Sequence, residues 1–248
     1  MASTSETGHA KNVDNFSSLI DGIASFGATY NPSNPSTILA ALKAKKESAR
    51  TSINAVNTAS IQYANATNKR ETAFVPFNST ITRGLNSLRA SPSDDNTDAA
   101  VATIARKILN TRAPKGSTSK EAPAPAAGPA VKVKKVSTSQ RSYDSQVDNF
   151  DRFVEALANI PEYKPNEPEL KVEALKAYAA ELRKVNDECN TTSYALDAAR
   201  ANRNAELYTT STGLVDVALS AKAYVKSLFG ATSAEFKRIS SLEFRTVK

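Results

Sequence analysis

The second half of this chain reads as a repeat of the first, and no other feature constrains the fold as strongly. Val13-Asp14-Asn15-Phe16 recurs as Val147-Asp148-Asn149-Phe150. Apolar residues follow in matching places, Leu19, Ile20 and Ile23 against Phe153, Val154 and Leu157. A Tyr-x-Pro-x-x-Pro motif comes next at Tyr30, Pro32 and Pro35, and again at Tyr163, Pro165 and Pro168. Further on, Arg50 aligns with Arg183, Asn57-Thr58-Ala59-Ser60 with Asn190-Thr191-Thr192-Ser193, and Arg70 with Arg203. Two Ala-rich helices resemble each other by composition alone, but they have no reason to share Tyr, Pro and Asn-Thr positions in one register. A period this long predicts a pair of related folding units.

The expected organisation is a disordered tail over 1–12, a helical repeat over 13–110, a linker over 111–142 and a second helical repeat over 143–248. The Ala/Pro-rich linker resists helix and strand and favours an extended chain. It also holds most of the protein's basic character. The whole chain is formally +7, yet residues 111–141 alone carry seven basic groups against one acidic.

Within each repeat the apolar spacing is helical. A 3–4 seam runs Leu39, Leu42, Ala49, Ile53, Val56, Tyr63 and on to Phe74. Its counterpart runs Val172, Leu175, Ala179, Leu182, Cys189, Leu196 and on to Leu207. This is the pattern of a long bundle helix, and a helix from about Thr37 to Thr72 would be ~54 Å long. An amphipathic helix from Val13 to about Phe26 precedes it. Pro76 breaks the chain after it, since proline has no N–H and disfavours α geometry at Val75. Two shorter stripes close each repeat: Phe77, Ile81, Leu85, Leu88 and then Val101, Ile104, Ile108; Leu214, Val217, Ala221, Tyr224, Leu228 and then Phe236, Ile239, Leu242. Thr232 and Glu235 have capping-box spacing. The predicted class is all-α: a tandem duplication giving two related antiparallel bundles of about four helices each, with a single pseudo-twofold bundle as the alternative.

Composition then excludes chemistry. Hydrophobic residues make up 40% of the chain, enough for a packed core. One His (His9), one Cys (Cys189) and no Trp leave no intrachain disulfide, no Cys/His zinc site, no His-based triad and no Glu-x-x-His di-iron bundle. No metal, cofactor or enzymatic activity is expected. The polar N-terminus lacks a signal-peptide core, and no stretch approaches the ~18 apolar residues of a membrane span. A cytoplasmic protein without membrane contact is expected.

The remaining candidates carry paired readings. Arg70 and Arg203 fall on the inward seam, where an unpaired charge costs several kcal/mol; each is either an anion or interhelical site, or snorkels to water. Asn57 and Asn190 head a polar belt that reads as a buried register-setting layer or a ligand site. The Tyr-x-Pro-x-x-Pro motif is a rigid connector, or a ligand for an aromatic groove. Lys43, Lys45 and Lys46, with Lys132, Lys134, Lys135 and Arg141, are phosphate contacts or solvated charge. Cys189 reads as a small core thiol, and His9 as part of the unstructured tail.

The stretch Asn202–Tyr208 and the following TGLVDVALSAKAYVKSLFGATSAEFKRI resemble the ending of uncharacterised helical proteins of gliding-type bacteria. The resemblance implies a soluble bacterial protein and supplies no site. The function expected from these residues is a noncatalytic structural or interaction scaffold that binds itself or another protein. The alternative is a nonspecific nucleic-acid binder that uses the basic linker.

Overall fold

The structure, a computed structural model, describes residues 7–109 and 142–246. Every regular element among them is helical: α1 (Thr7–Ala24), α2 (Leu39–Phe74), α3 (Phe77–Arg89), α4 (Asp95–Leu109), α5 (Tyr143–Ala158), α6 (Val172–Tyr208), α7 (Leu214–Phe229) and α8 (Ala234–Ser240). The linker lies outside the described residues apart from Ser142, which caps α5: its hydroxyl accepts from the Ser145 N–H at 3.2 Å.

Local chemistry places the helix ends where the sequence puts its breakers and caps. Pro35 and Pro168 each open a 3₁₀ turn immediately ahead of a long helix, their missing N–H costing nothing at a first position. Tyr30 and Tyr163 pin these turns by donating their hydroxyls to the carbonyls of Thr37 (2.7 Å) and Leu170 (2.8 Å). Pro76 separates α2 from α3 as its geometry requires. Asp94 receives the N–H groups of Asn96 and Thr97 at the start of α4. The capping box expected at Thr232 is not used: Ser233, one residue on, accepts the Phe236 N–H at 3.1 Å. Between α6 and α7, Gly213 approaches Thr209 so closely that a Cβ would sit 2.7 Å from its backbone; only glycine fits.

The chain forms two compact units. Unit 1 comprises 1–65 and 191–248; unit 2 comprises 66–190. These units do not follow the expected repeat boundaries. The core of unit 2 takes eight buried residues from α3 and α4, including Phe77, Ile81 and Leu88, and nine from the second half of the chain, including Phe150, Phe153 and Leu175. The core of unit 1 joins Val13, Phe16, Leu19, Ile23 and Leu42 to Leu214, Ala218, Ala221, Val225 and Ile239. Each half therefore lends its first hairpin to one unit and its closing helices to the other. The reason is physical: the closing stripes of the two halves are alike in period and polarity, and an apolar stripe does not specify which hairpin covers it.

In unit 2 the helices α2 and α6 run antiparallel, with Thr67 beside Cys189, Arg70 beside Asn186, and the Tyr178 hydroxyl donating to the Ala73 carbonyl. In unit 1, Lys45 of α2 meets Glu206 of α6, and Val56 and Ala59 pack with Leu196.

Residues 7–12, expected in a disordered tail, form the first turns of α1. His9 and Asn12 are buried. The His9 Nδ1 lies 2.7 Å from the Tyr208 hydroxyl. Asn12 donates to the Arg245 carbonyl and accepts its N–H, at 2.7 and 3.1 Å. Asn15 donates to the Glu243 carbonyl, and Phe244 meets Phe16 edge-on. The segment after α8 thus straps α1 down.

Candidate functional site

The two seam arginines are both drawn inward, in different surroundings. In unit 2 the Arg70 guanidinium lies 4.1 Å above the Tyr143 ring, and its Nη1 donates to Asn186 Oδ1 at 3.2 Å. Asn186 in turn donates to Asp144. The Arg70 Nε is buried without a hydrogen-bond partner among the described residues. Phe74 packs edge-on against the same Tyr143 ring at 4.7 Å. Together these contacts seat the first turn of α5 on the end of α2.

In unit 1 Arg203 is 5% exposed, so it does not snorkel to water. Its Nε and Nη2 donate to the Asn204 side-chain oxygen at 3.1 and 2.8 Å. Asn57 and Asn190, by contrast, are exposed, as are Thr58 and Thr191. The buried polar layer expected there does not form. Each Asn is one residue past a seam position, and a 100° step turns it away from the helix partner.

The lysine cluster is broken up by neighbouring carboxylates. Lys45 pairs with Glu206 at 3.0 Å and Lys46 with Glu47 at 3.3 Å, while Lys43 is exposed. Burial works against ionisation of Glu206, yet hydrogen bonds from Ser48 and Lys45 hold its carboxyl below the usual range. Lys132, Lys134, Lys135 and Arg141 lie outside the described residues. Cys189 is buried against the Thr67 hydroxyl at 3.7 Å. Among the described residues no cluster of His, Cys, Asp or Glu has the arrangement of a metal site, and no helix is long and apolar enough to cross a membrane.

Matching ion pairs bind the first hairpin of each half: Arg50 to Asp14 at 2.7 Å, and Arg183 to Asp148 and Asp151. The Tyr30 and Tyr163 phenols are both pushed up to about 12, chiefly by burial.

Unit 2 holds a cleft of about 520 Å³ between the end of α3 and the connector ahead of α6. Ser87, Pro92, Glu162, Asn166 and Leu170 line it, and an Arg83–Glu169 ion pair of 2.7 Å stands at the same juncture. Sequence reasoning did not find it. The signal lies in the closing helices: with Leu214, Ala218 and Ala221 set against Phe77, Ile81 and Gly84, Ser87 stands where the second half has Tyr224.

No protein-family model matches the chain, and no curated protein or solved structure shows significant similarity to it.

Proposed function

We propose that this chain is a tandem duplication whose halves have exchanged closing helices, and that it works as a noncatalytic cytoplasmic scaffold binding a second copy or another protein. One observation carries the reading: each core draws on both halves in nearly equal measure. Such an arrangement reproduces in one chain what a domain-swapped homodimer achieves with two. The paired Tyr–carbonyl pins, the paired Arg–Asp bridges and the long helices of 36 and 37 residues support common descent of the halves.

Binding of nucleic acid through the basic linker is the second reading. It draws less from the folded part, because Lys45 and Lys46 are already engaged by carboxylates.

Size-exclusion chromatography with light scattering, read at 260 and 280 nm, separates the two. A protein-only peak at a multiple of 26.5 kDa is expected. A nucleic-acid-rich peak that collapses in high salt overturns the scaffold reading. A bare monomer that captures no protein from native extract also counts against it.

A further inference from the structure

We propose that the partner taken up in self-association is a second copy of this chain, and that it enters by exchange of halves rather than by docking on a surface. This rests on the self-association reading above and supplies its mechanism.

Both cores are built in part from contacts between residues 7–109 and residues 142–246. In unit 2, Gly84 of the first half lies against the Phe153 ring of the second, close enough that a Cβ would stand 3.3 Å from it. In unit 1, Phe26 meets Phe229 and Tyr30 meets Tyr224, with ring centres 5.0 and 5.2 Å apart. Nothing in these contacts distinguishes a chain's own second half from that of another copy. The first half of one chain and the second half of its copy would complete one unit 1 and one unit 2, and the remaining halves would complete the others. The result is a closed twofold dimer with no contact absent from the monomer.

The two halves are joined in the chain through segment 110–141, whose Ala/Pro-rich sequence disfavours helix and strand. The choice is then one of effective concentration. Linkage in one chain offers each half its own partner at an effective concentration of about a millimolar, so a copy competes only when it is comparably concentrated during folding or when the link cannot close. Once formed, either state persists, because interconversion requires both cores to open.

The test uses the single native thiol. Thr67 is in the first half, with its hydroxyl 3.7 Å from the Cys189 sulfur of the second, so Thr67→Cys allows a disulfide across the halves. In a closed monomer that bond lies within one chain; in an exchanged dimer it joins two. The Thr67→Cys chain is refolded at about 10 µM and at about 1 mM, oxidised, fractionated by size and run on a denaturing gel without reductant. At the higher concentration the share of chains in covalent dimer should rise on the order of 25-fold, to about half.

A second variant carries Thr67→Cys and lacks residues 110–141, which leaves only Ser142 between α4 and α5. These helices pack together in unit 2, and helix hairpins need about two to five residues to turn. Closure within one chain is then barred, and nearly all folded protein should be covalent dimer. A size-defined dimer that falls to monomers on the gel overturns exchange while leaving self-association standing. Monomer alone from the full-length chain at both concentrations, or a folded monomeric deletion variant, overturns exchange as well. If the deletion variant does not fold, the full-length refolding decides.

Discussion

Tyr224 in unit 1 and Ser87 in unit 2 occupy the same place on their helices. In that register Leu214, Ala218, Ala221 and Val225 of α7 are set against Phe77, Ile81, Gly84 and Leu88 of α3, and all eight are buried. Tyr224 then meets Tyr30 edge-on, with ring centres 5.2 Å apart. Ser87 has no ring to offer, and the cleft of about 520 Å³ stands beside it. Four positions deep in the helix face match in kind while a fifth, at its margin, differs in size by an aromatic ring. The deep positions are held apolar by close packing on every side, though not to one volume, since Ile81 is set against Ala218 and Phe77 against Leu214. A marginal position has solvent on one flank and is free to diverge.

The deepest positions offer the strongest test of this likeness. Phe16 in unit 1 and Phe150 in unit 2 are both fully buried. Truncation of either to Ala should cost about 3–5 kcal/mol in chemical denaturation, with hydrogen exchange accelerating first in the helices of the affected unit. A cost below about 1 kcal/mol at one site alone would show that the two cores are not equivalent.

Gly22 and Ala156, equivalent positions on α1 and α5, should behave less alike. A Cβ on Gly22 would stand 2.8 Å from Ile239 Cγ2, so Gly22→Ala must displace a buried side chain of α8. Overpacking of this kind costs about 1–3 kcal/mol, and the helix propensity gained returns about 1. The expected result is a small net loss, with faster amide exchange confined to α8. Unchanged exchange in α8 would mean that Ile239 yields freely.

The connectors should respond alike to alkali. The Tyr30 and Tyr163 phenols sit at about 12, above their ordinary 10.0, through burial. A folded value above the unfolded one favours the neutral phenol in the native state. That contribution is complete below pH 10 and is lost as pH rises from 10 towards 12. Tyr30→Phe and Tyr163→Phe should each lose about 1 kcal/mol at neutral pH and each flatten the alkaline decline. Ultraviolet titration of tyrosinate measures the second effect. A variant with the wild-type alkaline profile would remove its tyrosine from this account.

The smallest effect tests the difference itself. Ser87→Tyr should fill the cleft against the connector and stabilise unit 2 by about 0.5–1.5 kcal/mol, and Tyr224→Ser should take a similar amount from unit 1. Thermal unfolding of the two variants reads both. A destabilised Ser87→Tyr would mean that the cleft is shaped against a ring.

Much of this fold is legible in the sequence. The seam from Leu39 to Phe74 is α2 from end to end, and Pro35, Pro76 and Pro168 stand where the helices begin and break. These features are local, set by period and by missing N–H groups. Two kinds of feature were not legible. The first is partner choice, because the stripe Phe77–Leu88 serves the hairpin of either half equally well as a pattern. The second is burial granted from a distance. His9 and Asn12 read as a polar tail until Tyr208 and Arg245, some 200 residues on, supply their hydrogen bonds. The candidate residues divide along the same line: Arg70 and Arg203 lie on the predicted seam and are drawn inward, whereas Asn57 and Asn190 lie one step off it and face water.

The joining of α1 to α7 and α8 has a consequence in time. On the ribosome α1 emerges about 200 residues ahead of α7 and α8, which help to cover Phe16, Leu19, Ile20 and Ile23. At ~5–20 residues per second, that apolar face waits on the order of 10–40 s for its partners. Unit 2, by contrast, is drawn from the middle of the chain and can close earlier. The nascent chain therefore presents a half-finished hydrophobic surface over that interval, the condition under which cellular chaperones are recruited.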